Sequence, residues 1–252
     1  GTSAWVGAAS KTQTAFKHGA AAIQSADVNM NLVVGITEAA GSNIQWLIDQ
    51  FFRTEQKELG DGIYAYMDKV IESIPPGSNH LICTPWMLGE RCPVSTTTTR
   101  ATLFNIGPEH TREHLMRAVY EGIGYNLRWI LENFEKDYGF HCRQFRIIGG
   151  GALDNAWIQI IADITGAEFA IVDNPRNAGA LGAAIIALIG LGELENFEAA
   201  KQFVKESKTY RPNPINAHIY DEMFATYKRL YKSLKKTYYK ANALRFGGQD
   251  ND

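Results

Sequence analysis

Cysteine is scarce in this chain of 252 residues, which contains three. Cys83, Cys92 and Cys142 form no CxxC pair and have no His/Cys spacing typical of a metal site. An odd and sparse set of thiols is typical of a reducing compartment, so we expect free cysteines and a cytoplasmic protein. The cysteines therefore argue against a small disulfide-stapled fold.

The chain also lacks an excess of charge of either sign and any long hydrophobic run. Its 25 basic and 27 acidic residues give a net charge of −2, which offers no overall electrostatic reason to expect nucleic acid. The longest apolar stretch, residues 178–191, is too short and too interrupted by glycine to span a bilayer. We therefore expect neither nucleic acid nor a membrane as partner.

One segment departs from this balance. "YKRLYKSLKKTYYK" mixes lysines with tyrosines, and Tyr220, Tyr227, Tyr231 and Tyr238 recur at helical spacing. Basic residues interleaved with aromatic ones can bind nucleic acid, but a solvated amphipathic helix face is the simpler interpretation and the one we favour.

An initial methionine and a signal peptide are also missing. The chain opens with "GTSAWVGAAS", which has the pattern of a strand already under way. We interpret the sequence as a fragment or an excised domain of a larger protein.

Hydrophobic periodicity predicts a β-rich beginning followed by helices. "SAWVGAAS" and "NMNLVVGITEAAG" alternate as half-buried strands do, and "NIQWLIDQFF" has helical spacing. Trp46 in that helix, and Trp157 further along, are predicted to be core residues. We also expect a helix at 62–73, a short strand in "HLICTPWML", a loop in "GERCPVSTTTTRATLFNIG" and a long helix at 111–137.

From residue 143 onward, strands alternate with helices. "QFRIIGG" precedes a helix at Asn155–Thr165, and "AEFAIVD" precedes one at 178–189. This order predicts an α/β layer with parallel neighbouring strands. Two further helices are expected, at 197–207 and 214–244.

Three glycines, Gly149, Gly150 and Gly151, stand where a strand leads into a helix. Consecutive glycines cost conformational entropy, so the position should require backbone without side chains. Bare N–H groups at a helix N-terminus favour an anionic ligand such as a nucleotide, although a tight turn that packs helix on sheet is an equally simple explanation. Asp154 breaks the GxGxxG pattern and no lysine follows to complete GxxxxGK[ST], so both common phosphate-loop classes are disfavoured.

Two weaker glycine features accompany this one. "NAGALGAAIIALIG" places small residues along a predicted helix, and the simplest interpretation is close packing of that helix on its sheet. Gly1, Thr2 and Ser3 are a third candidate, since a glycine-threonine turn can give N–H and hydroxyl donors to phosphate oxygens, although by itself this is a weak signal.

Six ordered segments together resemble the C-terminal half of the FGGY-family carbohydrate kinases, and most of all the xylulokinase-type members. They are "GTSAWV", "AAGSNIQWLID", "PWMLGERCP", "ATLFNIGPEHTREHLMRAVYEGI", "GGGALDNAWIQIIADITG" and "NAGALGAAIIALIGLG". The similarity extends over nearly the whole chain. Two departures stand out, because Asn105 replaces a usual glycine and threonines occupy 96–99, where the family commonly carries an aspartate and an Ala-Arg-Gly.

The resemblance implies a fold: an α/β domain of the actin-like ATPase (ribonuclease H-like) type, with a mixed β-sheet flanked by helices. Residues 1–245 would form the C-terminal nucleotide-binding domain and 246–252 a frayed tail. The N-terminal sugar-binding domain would be absent from this chain.

The resemblance also implies a site for ATP, with Mg²⁺ as cofactor. The nucleotide-binding residues carried over by the match are Gly1, Thr2, Gly41, Gln45, Gly150, Gly151, Ala152 and Asn155. Thr2 would meet the terminal phosphates, and the 150–155 turn would hold the adenosine. Gln45 could instead be an exposed polar helix residue and Asn155 a helix N-cap, a role that is compatible with nucleotide binding.

In the family the general base is an aspartate just upstream of the second phosphate motif, and this chain begins at that motif. We therefore expect no catalytic residue and no metal ligand in these residues, and no sugar phosphorylation by them alone. The parent protein would transfer the ATP γ-phosphate to D-xylulose or a related sugar and release ADP. A homodimer is compatible with the sequence.

Two alternatives remain open at this stage. A non-catalytic ATP-binding interaction module would use the same fold. A dehydrogenase-type dinucleotide domain is disfavoured because GxGxxG is missing and Asp173 comes closest to the expected acidic residue without matching its position.

Overall fold

The computed structural model describes residues 2–11 and 17–247. Gly1, 12–16 and 248–252 lie outside it. The strands are β1 (Trp5–Ser10), β2 (Ala21–Gln24), β3 (Asn31–Ile36), β4 (Ile82–Thr84), β5 (Thr102–Phe104), β6 (Gln144–Ile147), β7 (Glu168–Val172) and β8 (Glu206–Tyr210). The α-helices are α1 (Gly41–Phe51), α2 (Arg53–Leu59), α3 (Ile63–Glu72), α4 (Arg112–Tyr138), α5 (Asn155–Thr165), α6 (Ala178–Gly190) and α7 (Ala217–Phe246).

The N-terminal sheet has the order β1-β3-β2 and is antiparallel throughout. Its central strand β3 buries Val33 and Val34 and comes so close to α4 that a Cβ at Gly35 would lie 2.6 Å from Cγ2 of Ile130. Both strands expected in this part are confirmed. The four-residue β2 was not predicted, because so short a segment carries little periodic signal.

Helix α4 is the axis of the hydrophobic core. The sequence predicted one apolar face, but every residue from 115 to 127 is buried, including Arg117, Glu121 and Asn126. Helices α1, α3 and α5 and strands β1 and β4 pack around it. Gly122 permits the closest approach, since a Cβ there would lie 2.2 Å from the Cys83 carbonyl oxygen.

A second antiparallel pair joins β4 to β5. β5 lies inside the segment expected to be a loop, so that prediction is wrong for Thr102–Phe104. The segment ends at Asn105, whose φ of +69° is in the left-handed region. Asparagine tolerates this conformation better than most residues, which explains why it can replace the glycine usual in the family.

The C-terminal sheet is mixed, with β6 parallel to β7 and β7 antiparallel to β8. The parallel pair is confirmed. The helix expected at 197–207 is wrong: Ala199–Phe203 forms a short 3₁₀ turn and Glu206–Tyr210 is strand β8. Pairing with the edge of β7 decides this, and the strand buries Tyr210 at its end.

Two packing predictions also fail. Of the thirteen residues of α6, all of them described, Ile185 alone is buried, and a Cβ at Gly179 or Gly182 would meet no described atom within 4 Å. The helix therefore does not pack tightly on its sheet. Trp46 is 45% exposed, contrary to its predicted core position, whereas Trp157 is buried.

The last helix has an inward-facing side formed by tyrosines. Tyr220 and Tyr227 are fully buried, and Tyr238 hydrogen-bonds the hydroxyl of Thr102. The helix continues through Phe246, and Gly247 caps it with a φ of +65°. The rest of the expected frayed tail lies outside the described residues.

The chain is thus an α/β domain whose sheets are flanked by helices. Among residues 2–11 and 17–247, no helix combines the length and the apolarity needed to cross a membrane.

Candidate nucleotide-binding site

Thr2 lies at the N-terminus of α1, close to Gly41. Its carbonyl oxygen accepts the N–H of Ala40 at 2.8 Å, the N–H of Ser42 at 3.3 Å and the Ser42 hydroxyl at 3.1 Å. The structure therefore brings together two residues that are 39 positions apart in the sequence. Thr2 is exposed and Gly41 is the first residue of the helix, so this corner joins accessible backbone to a positive helix end. Gly1 lies outside the described residues.

Gln45 is half-buried and bonded at both ends of its amide. Its Nε2 donates to Asp49 Oδ1 at 2.7 Å, and its Oε1 accepts the Tyr64 hydroxyl at 2.5 Å. It is therefore not the free, exposed polar residue that was the alternative interpretation. Tyr64 belongs to α3, so Gln45 ties α1 to that helix.

The glycine run forms a tight turn between β6 and α5. Gly149 has a φ of +88°, which glycine adopts at little cost, and its N–H donates to the Pro175 carbonyl oxygen at 2.8 Å. Gly150 begins a short 3₁₀ turn, Gly150–Leu153, in which Ala152 is buried. Gly151 is half-buried. Gly149 therefore serves the backbone conformation of the turn, and Gly151 lies against the indole ring of Trp157.

Asp154, not Asn155, is the N-cap of α5. The Asp154 carboxylate accepts the N–H of Trp157 at 2.8 Å, while Asn155 is the first helical residue. The N-cap interpretation of Asn155 is therefore wrong. Its side chain is exposed and its Oδ1 accepts the Tyr210 hydroxyl, which holds it beside β8.

A half-buried acidic cluster connects the two halves of the candidate site. Asp154 lies next to Asp68 of α3, one helical turn beyond Tyr64, and next to Tyr120 of α4. Burial, followed by the neighbouring Asp68 carboxyl, raises the pKa of Asp154. Burial, followed by the charge of Asp154, raises the pKa of the Tyr120 hydroxyl well above its usual value. Helix α3 therefore contacts both parts of the candidate site. Tyr64 hydrogen-bonds Gln45, and Asp68, one helical turn later, lies next to Asp154.

Sequence reasoning missed Tyr64 and Asp68, because no motif surrounds them. Their spacing of four residues is the only signal that places them on one face of a helix. It also missed the burial of Glu90, which is 3% exposed and whose pKa burial raises to about 7.

A protein-only metal site is not formed by the described residues. Within 2–11 and 17–247, no group of three histidine, cysteine, aspartate or glutamate side chains is arranged to hold a metal ion.

Comparison with known proteins identifies the family of the chain. Residues 1–191 match the sequence profile of the FGGY family of carbohydrate kinases, C-terminal domain. The chain is 33% identical over 203 residues to the xylulose kinase of Bacillus subtilis (strain 168), covering 80% of this chain and 39% of that protein. It is 27% identical over 212 residues to the gluconokinase of the same organism, covering 82% of this chain and 41% of that one.

A solved structure extends the similarity to the fold. The crystal structure of xylulose kinase from Rhodospirillum rubrum superposes with a TM-score of 0.82 at 25% identity, over 95% of this chain and 47% of that one. The chain therefore spans less than half the length of the relatives it matches. This fold and the profile match over 1–191 lead to one conclusion: the chain belongs to the FGGY family of carbohydrate kinases and corresponds to its C-terminal domain.

Proposed function

We propose that this chain is the ATP-binding half of a carbohydrate kinase that transfers the ATP γ-phosphate to a sugar hydroxyl. The observation that carries the proposal is that Thr2 lies at the start of α1 and that a separate glycine turn leads into the start of α5. The positive end of a helix dipole favours a negative group, which suits the start of α1 to the nucleotide phosphates. Residues 1–245 would act as one nucleotide-binding domain.

The roles divide between the two corners. Thr2, with Gly1 and Gly41, would meet the terminal phosphates through backbone and hydroxyl donors. Gly150, Gly151, Ala152 and Asn155 would hold the adenosine from one side, and Gln45 would line the other. Phosphoryl transfer depends on positioning and charge stabilisation, and these residues supply the positioning of the nucleotide.

The general base, the sugar-binding loops and the first phosphate motif would be supplied by a domain outside this chain. The exposed apolar residues of α6 and of its C-terminal end, among them Leu181, Ile186 and Leu191, support such a domain, because apolar surface of this kind is usually covered. A magnesium ion would be held by the nucleotide phosphates and by that domain, since the described residues form no metal site by themselves. The free cysteines support a cytoplasmic location.

D-xylulose or a related sugar is the proposed acceptor. The xylulose kinase similarity supports a ketopentose, while the gluconokinase similarity keeps other sugars possible. Specificity would be decided in the missing half.

Binding and turnover test the proposal separately. The 252-residue chain should bind ATP and not NAD in a calorimetric titration, and should release no ADP with D-xylulose in a coupled assay. Binding of NAD in preference to ATP would overturn the nucleotide assignment, and robust ADP release would overturn the need for a second domain. The full-length parent protein should release ADP with D-xylulose or a related sugar, and its failure with every sugar tested would favour a non-catalytic module.

A further inference from the structure

Glu90, in the "GERCP" segment, is a buried carboxylate that is held from three directions. Its Oε1 accepts the N–H of Glu38 at 2.5 Å and the N–H of Arg91 at 2.9 Å, and its Oε2 accepts Nδ2 of Asn126 at 2.6 Å. The donors belong to the β3–α1 connection, the β4–β5 connection and α4. A side chain that is 3% exposed and satisfies three donors fixes the segments they belong to, because each donor would otherwise be left unpaired.

The first donor leads directly to the candidate site. Glu38 lies in the connection 37–40, between β3 and α1. At the front of this connection the Thr37 N–H donates to the Ala4 carbonyl at 2.9 Å, and at its end the Ala40 N–H donates to the Thr2 carbonyl at 2.8 Å. Between these two points, Glu90 accepts the N–H of Glu38 and so fixes the middle of the connection. A displacement of Glu38 would therefore move the Thr2 carbonyl and the first turn of α1 together.

We propose that Glu90 is a positioning residue for the terminal phosphates of the nucleotide, acting through the 37–40 connection on Thr2 and Gly41. The inference rests on the proposed function, in which Thr2 and Gly41 meet those phosphates. Glu90 itself is buried behind the connection, and its hydrogen-bond donors are two backbone N–H groups and the Asn126 amide.

The charge state of the side chain decides whether the connection is held. An ionised carboxylate accepts all three hydrogen bonds, whereas protonation turns one oxygen into a donor. A glutamine at this position has the same difficulty. If its oxygen faced Glu38 and Arg91, its amide nitrogen would face Nδ2 of Asn126, and Asn126 cannot turn because its Oδ1 already accepts Trp86 Nε1 at 3.2 Å and the Tyr227 hydroxyl at 3.0 Å.

Compared with Cys92 and Tyr227 beside it, Glu90 is the group whose charge changes near neutral pH. Burial raises the pKa of Glu90 to about 7, partly offset by hydrogen bonds from the backbone of Glu38, Arg91 and Cys92 and from the Asn126 amide. Burial raises the pKa of the Cys92 thiol to about 12 and that of the Tyr227 hydroxyl well above its usual value, so both stay neutral. On the outer side, the Arg91 guanidinium pairs with the Glu38 carboxylate at 2.5 Å. The remaining neighbour, Asn126 of α4, is uncharged.

The test compares ADP binding by the wild-type chain and by Glu90→Gln, using calorimetry from pH 6 to pH 8.5. Glu193→Gln, an exposed glutamate in the α6–β8 connection, is the matched control. Because the phosphate of ADP titrates equally in all three proteins, its effect cancels in the ratio of the dissociation constants. We expect the ratio of Glu90→Gln to wild type to be near one at pH 6 and to rise to about tenfold at pH 8.5, the effect of one lost hydrogen bond at the site. Glu193→Gln should stay at one throughout.

The outcomes separate the two proposals. Absence of ADP binding by the wild type at every pH would overturn the proposed function and this inference with it. Wild-type binding with a ratio that stays constant across the pH range would overturn the positioning role alone, because a general loss of stability does not follow the ionisation of Glu90.

A second measurement decides the matter if Glu90→Gln does not fold. Hydrogen exchange of the wild-type Glu38 amide, corrected for the intrinsic effect of pH, should show about tenfold less protection at pH 6 than at pH 8. Unchanged protection of that amide would contradict the inference.

Discussion

Gly151 lies against the indole ring of Trp157, so closely that a Cβ atom at position 151 would be 2.9 Å from Cζ3 of the tryptophan. The contact joins the glycine turn to the first turn of α5 and fixes the distance between them. It also gives the third glycine of the run a packing role that is independent of any ligand.

Gly151→Ala should therefore destabilise the fold. Because Trp157 is buried and its ring packs edge-on against Tyr120 with centroids 5.5 Å apart, it has little room to move. We expect a loss of about 1–3 kcal/mol in the free energy of unfolding, as for other over-packed cores. Urea denaturation would measure it, and an unchanged midpoint would show that the ring shifts freely.

Gly149→Ala should be destabilising for a different reason. Its φ of +88° disfavours any side chain, although a Cβ there would meet no described atom within 4 Å. We expect a loss of about 1–3 kcal/mol from backbone strain alone, because this φ combined with a ψ of −171° is a conformation that only glycine adopts readily. Gly179→Ala is the control, since that glycine is helical and in open space and the substitution should stabilise by about 0.5–1 kcal/mol. Equal effects of the two substitutions would contradict the strain argument.

The pKa of Asp154 is raised in the folded protein, so this group contributes less stability as pH rises. The folded state binds the proton more tightly than the unfolded state does, and that advantage disappears as pH climbs from about 4 through the raised pKa. Asp154→Asn keeps a good N-cap and removes the like charge beside Asp68. We expect the variant to melt at a higher temperature than the wild type at pH 8.5, with the difference shrinking toward pH 4.

Asp173→Asn, at an exposed position, should leave the melting temperature unchanged over the same range. If the wild type melted at a higher temperature than Asp154→Asn at pH 8.5, Asp154 and Asp68 would not repel each other.

The buried pair of Arg117 and Glu121 offers a contrast with surface pairs. Arg117 Nε donates to Glu121 at 2.7 Å, with side-chain exposures of 8% and 1%. Glu121→Ala would leave the guanidinium buried without its counter-charge, so we expect a loss of about 3–5 kcal/mol. Glu198→Ala removes a pair with Lys201 that is about three-quarters exposed and should cost less than about 1 kcal/mol. Chemical denaturation of both variants measures the two losses in the free energy of unfolding. Losses of similar size would contradict the expected difference between the buried and the exposed pair.

Regular elements with a strong repeat could be predicted from the sequence by itself. α5 was predicted with its observed bounds, and the parallel order of β6 and β7 followed from strand–helix alternation. These succeed because the 3.6-residue and two-residue periods are local properties of the chain. The ordered motifs likewise sufficed for the family, because each is a short run of residues.

Tertiary contacts decided the rest. β8 is a strand because the edge of β7 was available to pair with it, and Trp46 is exposed because nothing in the described chain covers that side of α1. Asp68 and Asp154 meet only when α3 packs against α5, and Glu90 is buried only when α4 and the β3–α1 connection close over it. Local sequence determines which element a residue joins, whereas burial and charge interactions depend on residues brought together from distant parts of the chain, which no local pattern encodes.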